Sequence, residues 1–87
     1  MSPPDPQLVT LATVVRGRAE TAERLAALPG VEAQLALAAT ATELAAAAEQ
    51  LTAAAVAAAR AGDPPAAWQQ IADALKVSRQ AAHERYR

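Results

Sequence analysis

Between Ala33 and Ala59 the chain carries only two charged side chains, Glu43 and Glu49, in a tract made mostly of alanine and punctuated by leucine. Alanine is the best helix former and is depleted in strands, so this tract predicts one long helix, over about 31 to 61. Leu37, Leu44, Leu51 and Ala58 fall seven residues apart, and Ala41, Ala48 and Ala55 fill the other half of a heptad seam. At 1.5 Å per residue such a helix is roughly 45 Å long. With only one neighbour from its own chain it would expose a broad alanine surface, which implies a second chain. Small side chains let helix axes approach closely, so two antiparallel hairpins joined as a four-helix bundle are expected, with Leu37, Leu44, Leu51, Ala41, Ala48 and Ala55 at the dimer seam. The alternative is that the leucines seal only the hairpin within one chain.

The partner helix in the hairpin precedes this tract. Asp5 followed by Pro6 is a start signal, because aspartate caps free amides and proline is pre-set for the first turn. Leu8, Leu11, Val15, Ala19, Ala22 and Leu25 then recur at spacings of three and four, predicting a helix over about 6 to 28. Arg16, Glu20 and Arg24 lie four apart on another face, a ladder of ion pairs that reads as solvated. Pro29-Gly30 turns the chain, and Gly62 is a candidate cap for the end of the long helix. Residues 1–5 are expected to be a flexible N-terminus, and residues 6–61 a helical hairpin that dimerises.

Composition narrows the function. Eighty-seven residues form a small core with little net stability, a second reason to expect a homodimer. The chain has no cysteine and one histidine, so disulfides, thiolate chemistry and a zinc site are not expected. Nothing near Met1 reads as a signal peptide, and charged residues interrupt every window long enough to span a bilayer, so a cytoplasmic protein with no membrane contact is expected. Enzyme motifs are missing: no glycine-rich phosphate loop, no nucleophile with a base, and no metal-ligand spacing. His83 and Glu84, adjacent in sequence, point to different sides of a helix and make no catalytic pair. No cofactor and no small-molecule ligand are expected, and the protein is not read as an enzyme.

The net charge of −1 is unevenly distributed. Residues 68–87 hold Lys76, Arg79, Arg85 and Arg87 against Asp73 and Glu84, a local net of +2. Asp63-Pro64-Pro65 restarts the chain and predicts a short helix over about 65 to 74, carrying Trp68, Ile71, Ala72 and Leu75 inward. After a turn at Lys76-Val77, Ser78 caps a last helix that runs to about Tyr86. Tyr86 either packs back on the long helix or reaches a phosphate.

Two short helices joined by a three- to four-residue turn, with alanine on the first and a capping residue opening the second, form a helix-turn-helix pattern over residues 64–87. Ile71-Ala72, Leu75, Val77 and Ser78-Arg79-Gln80-Ala81-Ala82 resemble the helix-turn-helix of bacterial transcription regulators and of sigma-factor promoter-reading domains. The stretch is also similar to small, alanine-rich actinobacterial DNA-binding proteins. The resemblance covers about 20 of the 87 residues and leaves the long hairpin unmatched.

The resemblance implies an all-α protein whose second short helix enters the major groove of double-stranded DNA, with Ser78, Arg79, Gln80 and His83 facing the bases and Glu84 and Arg87 nearby. Arginine pairs bidentately with guanine and glutamine with adenine, which suits Arg79 and Gln80 to reading sequence. Lys76, Arg85 and Arg87 suit phosphates, which position the protein without specifying a site. Ile71, Leu75, Val77 and Ala82 would form the wedge that sets the interhelical angle. Val56, Ala59 and Arg60 of the long helix would be its third packing partner. Lys76 occupies the turn position that such motifs usually give to glycine, at a cost of roughly 1 kcal/mol if it is left-handed. The expected function is a small dimeric transcriptional regulator or nucleoid-associated protein. The competing expectation is a helical module that binds a protein partner through the same surface.

Overall fold

A computed structural model of the chain describes residues 4–87, and every regular element among them is an α-helix. The elements are α1 (Pro6–Ala26), α2 (Val31–Arg60), α3 (Trp68–Leu75) and α4 (Arg79–Tyr86). Of the N-terminal segment expected to be flexible, residues 1–3 lie outside the described residues. No described helix is long and apolar enough to cross a membrane. The chain divides into two compact units, Met1–Leu51 and Thr52–Arg87, so the last turns of α2 belong with α3 and α4.

In the first unit α1 begins as its sequence dictates. Asp5 is extended and its carboxylate accepts a hydrogen bond from the Gln7 amide at 2.8 Å, while Pro6 occupies the first turn, where no amide is needed. The helix closes with Leu28 N–H donating to the Leu25 carbonyl at 3.1 Å. Gly30 then adopts φ 102°, a conformation that a side chain would strain, and α2 follows. Leu8, Leu11, Val15, Ala22 and Leu25 are half-buried on α1, and Leu37, Leu44 and Leu51 on α2. Between the helices, an Arg18 guanidinium nitrogen donates to the Glu43 carboxylate. Both side chains are largely solvated, so this pair contributes about 1 kcal/mol at most. Of the expected ladder on α1, Arg16 pairs with Glu20 at 4.0 Å, but Arg24 donates to the Thr21 hydroxyl instead.

Within one chain the leucine stripe of α2 is continued on the flank three residues after each leucine. Thr40, Ala47 and Ala54, three residues after each leucine, are covered, with Ala47 buried. Ala41 and Ala55, four residues after, are exposed, and Ala48 is half-buried. At 3.6 residues per turn both flanks adjoin the leucines, so the side from which a neighbour approaches decides between them. Among the described residues of this unit Ala47 alone is fully buried, and α1 buries none. Val9, Val14, Leu28, Val31 and Leu35 stay exposed, the last two at 67% and 66%.

The second unit has a denser core. Val56 from α2, Ile71 and Ala72 from α3 and Ala82 from α4 are buried together, with Ala66, Trp68, Leu75 and Tyr86 packed against them. Ala72 is 0% exposed and Ala82 1%, so the helices meet where only a methyl group fits. Val77, expected in the wedge, is 44% exposed and takes no part in it.

The start of α3 also differs from the expectation. The helix opens at Trp68 after the extended residue Ala67, not near Pro65. The reason lies in the preceding residues, whose polar groups are committed to the end of α2. The Ala66 amide donates to the Ala59 carbonyl at 2.9 Å, and the Ala66 carbonyl accepts from Arg60 at 2.7 Å. The helix starts only where Gln70 can fold back and accept from the Ala67 amide at 2.8 Å. Gly62 does not have the positive φ of a left-handed cap. It serves a close approach, since a Cβ there would lie 3.3 Å from the Ala59 carbonyl oxygen.

Candidate nucleic-acid interface

The link between α3 and α4 is three residues long and is set by one unusual backbone conformation. Lys76 lies in the left-handed region at φ 59°, ψ 42°. Its amide donates to Asp73 at 3.3 Å, and the Val77 amide reaches back to the Ala72 carbonyl at 3.1 Å. These bonds satisfy the last carbonyls of α3 and turn the chain sharply. Ser78 then opens α4 with its hydroxyl oxygen accepting from the Ala81 amide at 3.0 Å. The left-handed lysine and the serine cap fix the angle at which α4 leaves the core, and Ala82 anchors it there.

Ala82 and Tyr86 face the core, and the flank of α4 beside them is exposed. Arg79, Gln80, His83, Glu84 and Arg87 are all exposed and fall on one continuous arc of the helix at 100° per residue. Arg79, Gln80 and His83 line an open depression of about 480 Å³ whose floor includes Trp68. Gln80 donates one amide hydrogen to Glu84 at 3.2 Å, which leaves its other N–H and its carbonyl oxygen available. The carboxylate of Glu84 therefore steadies Gln80 and dilutes the positive charge beside it.

Of the residues read as contacts, Lys76 and Ser78 sit exposed in the link at the head of this arc. Arg85 does not join it. Its guanidinium lies 5.5 Å from the centre of the Tyr86 ring, on the opposite edge of α4. Tyr86 is half-buried against the core, which favours its packing role over a reach to phosphate.

Trp68 and Arg60 are the residues whose part in this surface the sequence did not reveal. Trp68 was expected in the core, yet it is only half-buried and forms the boundary between core and depression. The His83 ring meets it edge-on at 5.1 Å with an interplanar angle of 84°. Arg60, expected only to pack, lays its guanidinium 4.8 Å from the centre of the Trp68 ring. The sequence signal for this was thin: a lone tryptophan eight residues after a lone arginine, across a Pro-Pro loop whose course spacing does not reveal.

Comparison with known proteins gives no family or homologue to refine this picture: no protein-family model, no curated protein and no solved structure matches the chain. Among the described residues there is no group of three or more histidine, aspartate or glutamate side chains placed to hold a metal ion.

Proposed function

We propose that this protein binds double-stranded DNA through α4, with α3, its link and α4 acting as a helix-turn-helix and α1 and α2 as a dimerising hairpin. The observation that carries the reading is the combination at the head of α4. A tight left-handed link, a serine cap and a buried alanine present Arg79, Gln80 and His83 together on the exposed side of a rigid short helix. Such a helix fits a major groove about 12 Å wide, with its N-terminal residues against the base edges. In this reading Arg79 and Gln80 read bases. Lys76 and Arg87 meet phosphates, and Ser78 both caps the helix and approaches the backbone. Arg85, turned toward Tyr86, contributes charge from the side.

Dimerisation rests on the first unit. Among its described residues only Ala47 is fully buried while five large apolar side chains are exposed, so a second copy is the natural cover for it. The exposed alanine flank at Ala41, Ala45 and Ala55 allows close helix contact. Two copies then present two α4 helices to DNA, as a small regulator or a nucleoid-associated protein would.

The test is selection from a random duplex pool at about 100 mM salt, with the mass of the free protein measured by light scattering. A recovered palindromic site and a dimeric mass support a sequence-specific regulator, and Arg79→Ala should then relax the base preference at one position per half-site. Salt-sensitive retention without a consensus supports an architectural DNA binder. Absence of any retention would refute DNA binding and turn attention to a protein partner for the same face. The near-neutral chain and the carboxylate of Glu84 beside Gln80 are the features that favour that second reading.

A further inference from the structure

Arg60 is held in place by two contacts but neutralised by none. Its guanidinium stacks on Trp68, and one of its nitrogens donates to the Ala66 carbonyl at 2.7 Å. Among the described residues no carboxylate pairs with Arg60, whereas Arg16 pairs with Glu20 and Arg18 with Glu43. It is therefore a full positive charge with several free N–H donors, fixed in orientation before any ligand arrives. The other edge of the cluster is His83, which touches the same tryptophan ring from α4.

From this arrangement we infer that Arg60 and Trp68 form a second DNA anchor, a seat for one backbone phosphate beside the groove entered by α4. The inference rests on the DNA reading above and adds to it two residues outside the α4 surface. A planar guanidinium with free, pre-oriented donors matches a phosphate better than a base edge. Its position fits too: elements that flank a recognition helix cross the sugar-phosphate backbone, where contacts set register and orientation. Trp68 has two tasks here. Its ring lies against the Arg60 guanidinium and also meets His83, so the phosphate seat and the base-reading face are coupled through one side chain.

The experiment is titration of the full-length protein into a labelled mixed-sequence duplex about three helical turns long, followed by anisotropy from about 50 to 200 mM salt. Wild type, R60Q and R60K are compared, and far-UV circular dichroism confirms that each keeps its helices. Loss of one phosphate contact per subunit should lower the log–log salt slope of R60Q by about 0.9 per subunit and its affinity near 100 mM salt by about fivefold to tenfold. R60K, which keeps the charge but not the planar fork, should retain the wild-type slope. Because Trp68 is the only tryptophan, its emission should also change when the wild-type protein is saturated with duplex.

A wild-type slope in folded R60Q overturns the anchor while leaving DNA binding through α4 intact, because a latch that merely holds the loop to α2 would not alter counterion release. If R60Q loses helicity, the emission arm decides, and unchanged emission at saturation overturns the anchor. Failure of the wild-type protein to bind duplex at any salt would instead remove the DNA reading on which the inference stands.

Discussion

Lys76→Gly separates the conformational role of the link from its charge. Lys76 is the only described non-glycine residue with positive φ, at 59°, and a left-handed residue with a Cβ costs about 1–2 kcal/mol. Glycine removes that cost but gives the unfolded chain more freedom, an offset of about 0.5–1 kcal/mol. The net gain is roughly 0.5–1 kcal/mol. For a domain of this size each kcal/mol shifts the melting temperature by about 4–8 °C, so K76G should melt roughly 2–8 °C above wild type. Lys76→Ala is the matched control. It removes the same charge while keeping a Cβ in the left-handed region, so its melting temperature should stay near that of wild type. On duplex DNA the two variants should behave alike, each losing one phosphate contact and about 0.9 of salt slope per subunit. Thermal melts by circular dichroism and salt-dependent binding therefore report the two roles independently. If K76G were no more stable than K76A, the strain assigned to the link would be wrong. If both kept the wild-type slope, Lys76 would not meet a phosphate.

Ser78→Ala should lower stability by about 1 kcal/mol, read in urea unfolding, because the Ala81 amide loses its hydroxyl acceptor at the head of α4. Ala72→Leu should cost about 1–3 kcal/mol or more and weaken DNA binding indirectly, since a residue 0% exposed at a helix crossing cannot gain three carbons without moving α3 from α4. Ala41→Lys, on the exposed alanine flank of α2, should convert the proposed dimer to a monomer in light scattering and abolish the concentration dependence of the melting temperature that a dimer would show; a dimeric A41K would place the interface elsewhere. Gly30→Ala should destabilise by about 1 kcal/mol although nothing lies within 4 Å of the new methyl, because φ 102° disfavours any side chain.

The features legible in the sequence were those that a few neighbouring residues decide among themselves. Asp5 with Pro6, Ser78 with the amide of Ala81, and Pro29 with Gly30 act over two to four residues, so the starts of α1 and α4 and the break before α2 could be read from spacing. The alanine tract could form nothing but helix, and Ala72 on α3 and Ala82 in the wedge were both read as facing inward, where they are buried. The tertiary structure decided what depended on residues far apart or chemically alike. Thr40, Ala47 and Ala54 share the covered stripe rather than Ala41 and Ala55, because small side chains stand on both flanks and only the approach of a neighbour breaks the tie. The late start of α3 came from Ala66 being bonded to Ala59 and Arg60, a competition for backbone groups that no local pattern announces. Arg60 over Trp68, with His83 at its edge, joins three helices whose separation in sequence hides the contact. Local hydrogen bonds and propensity wrote the helices into the chain, whereas packing of near-identical surfaces had to choose which faces meet.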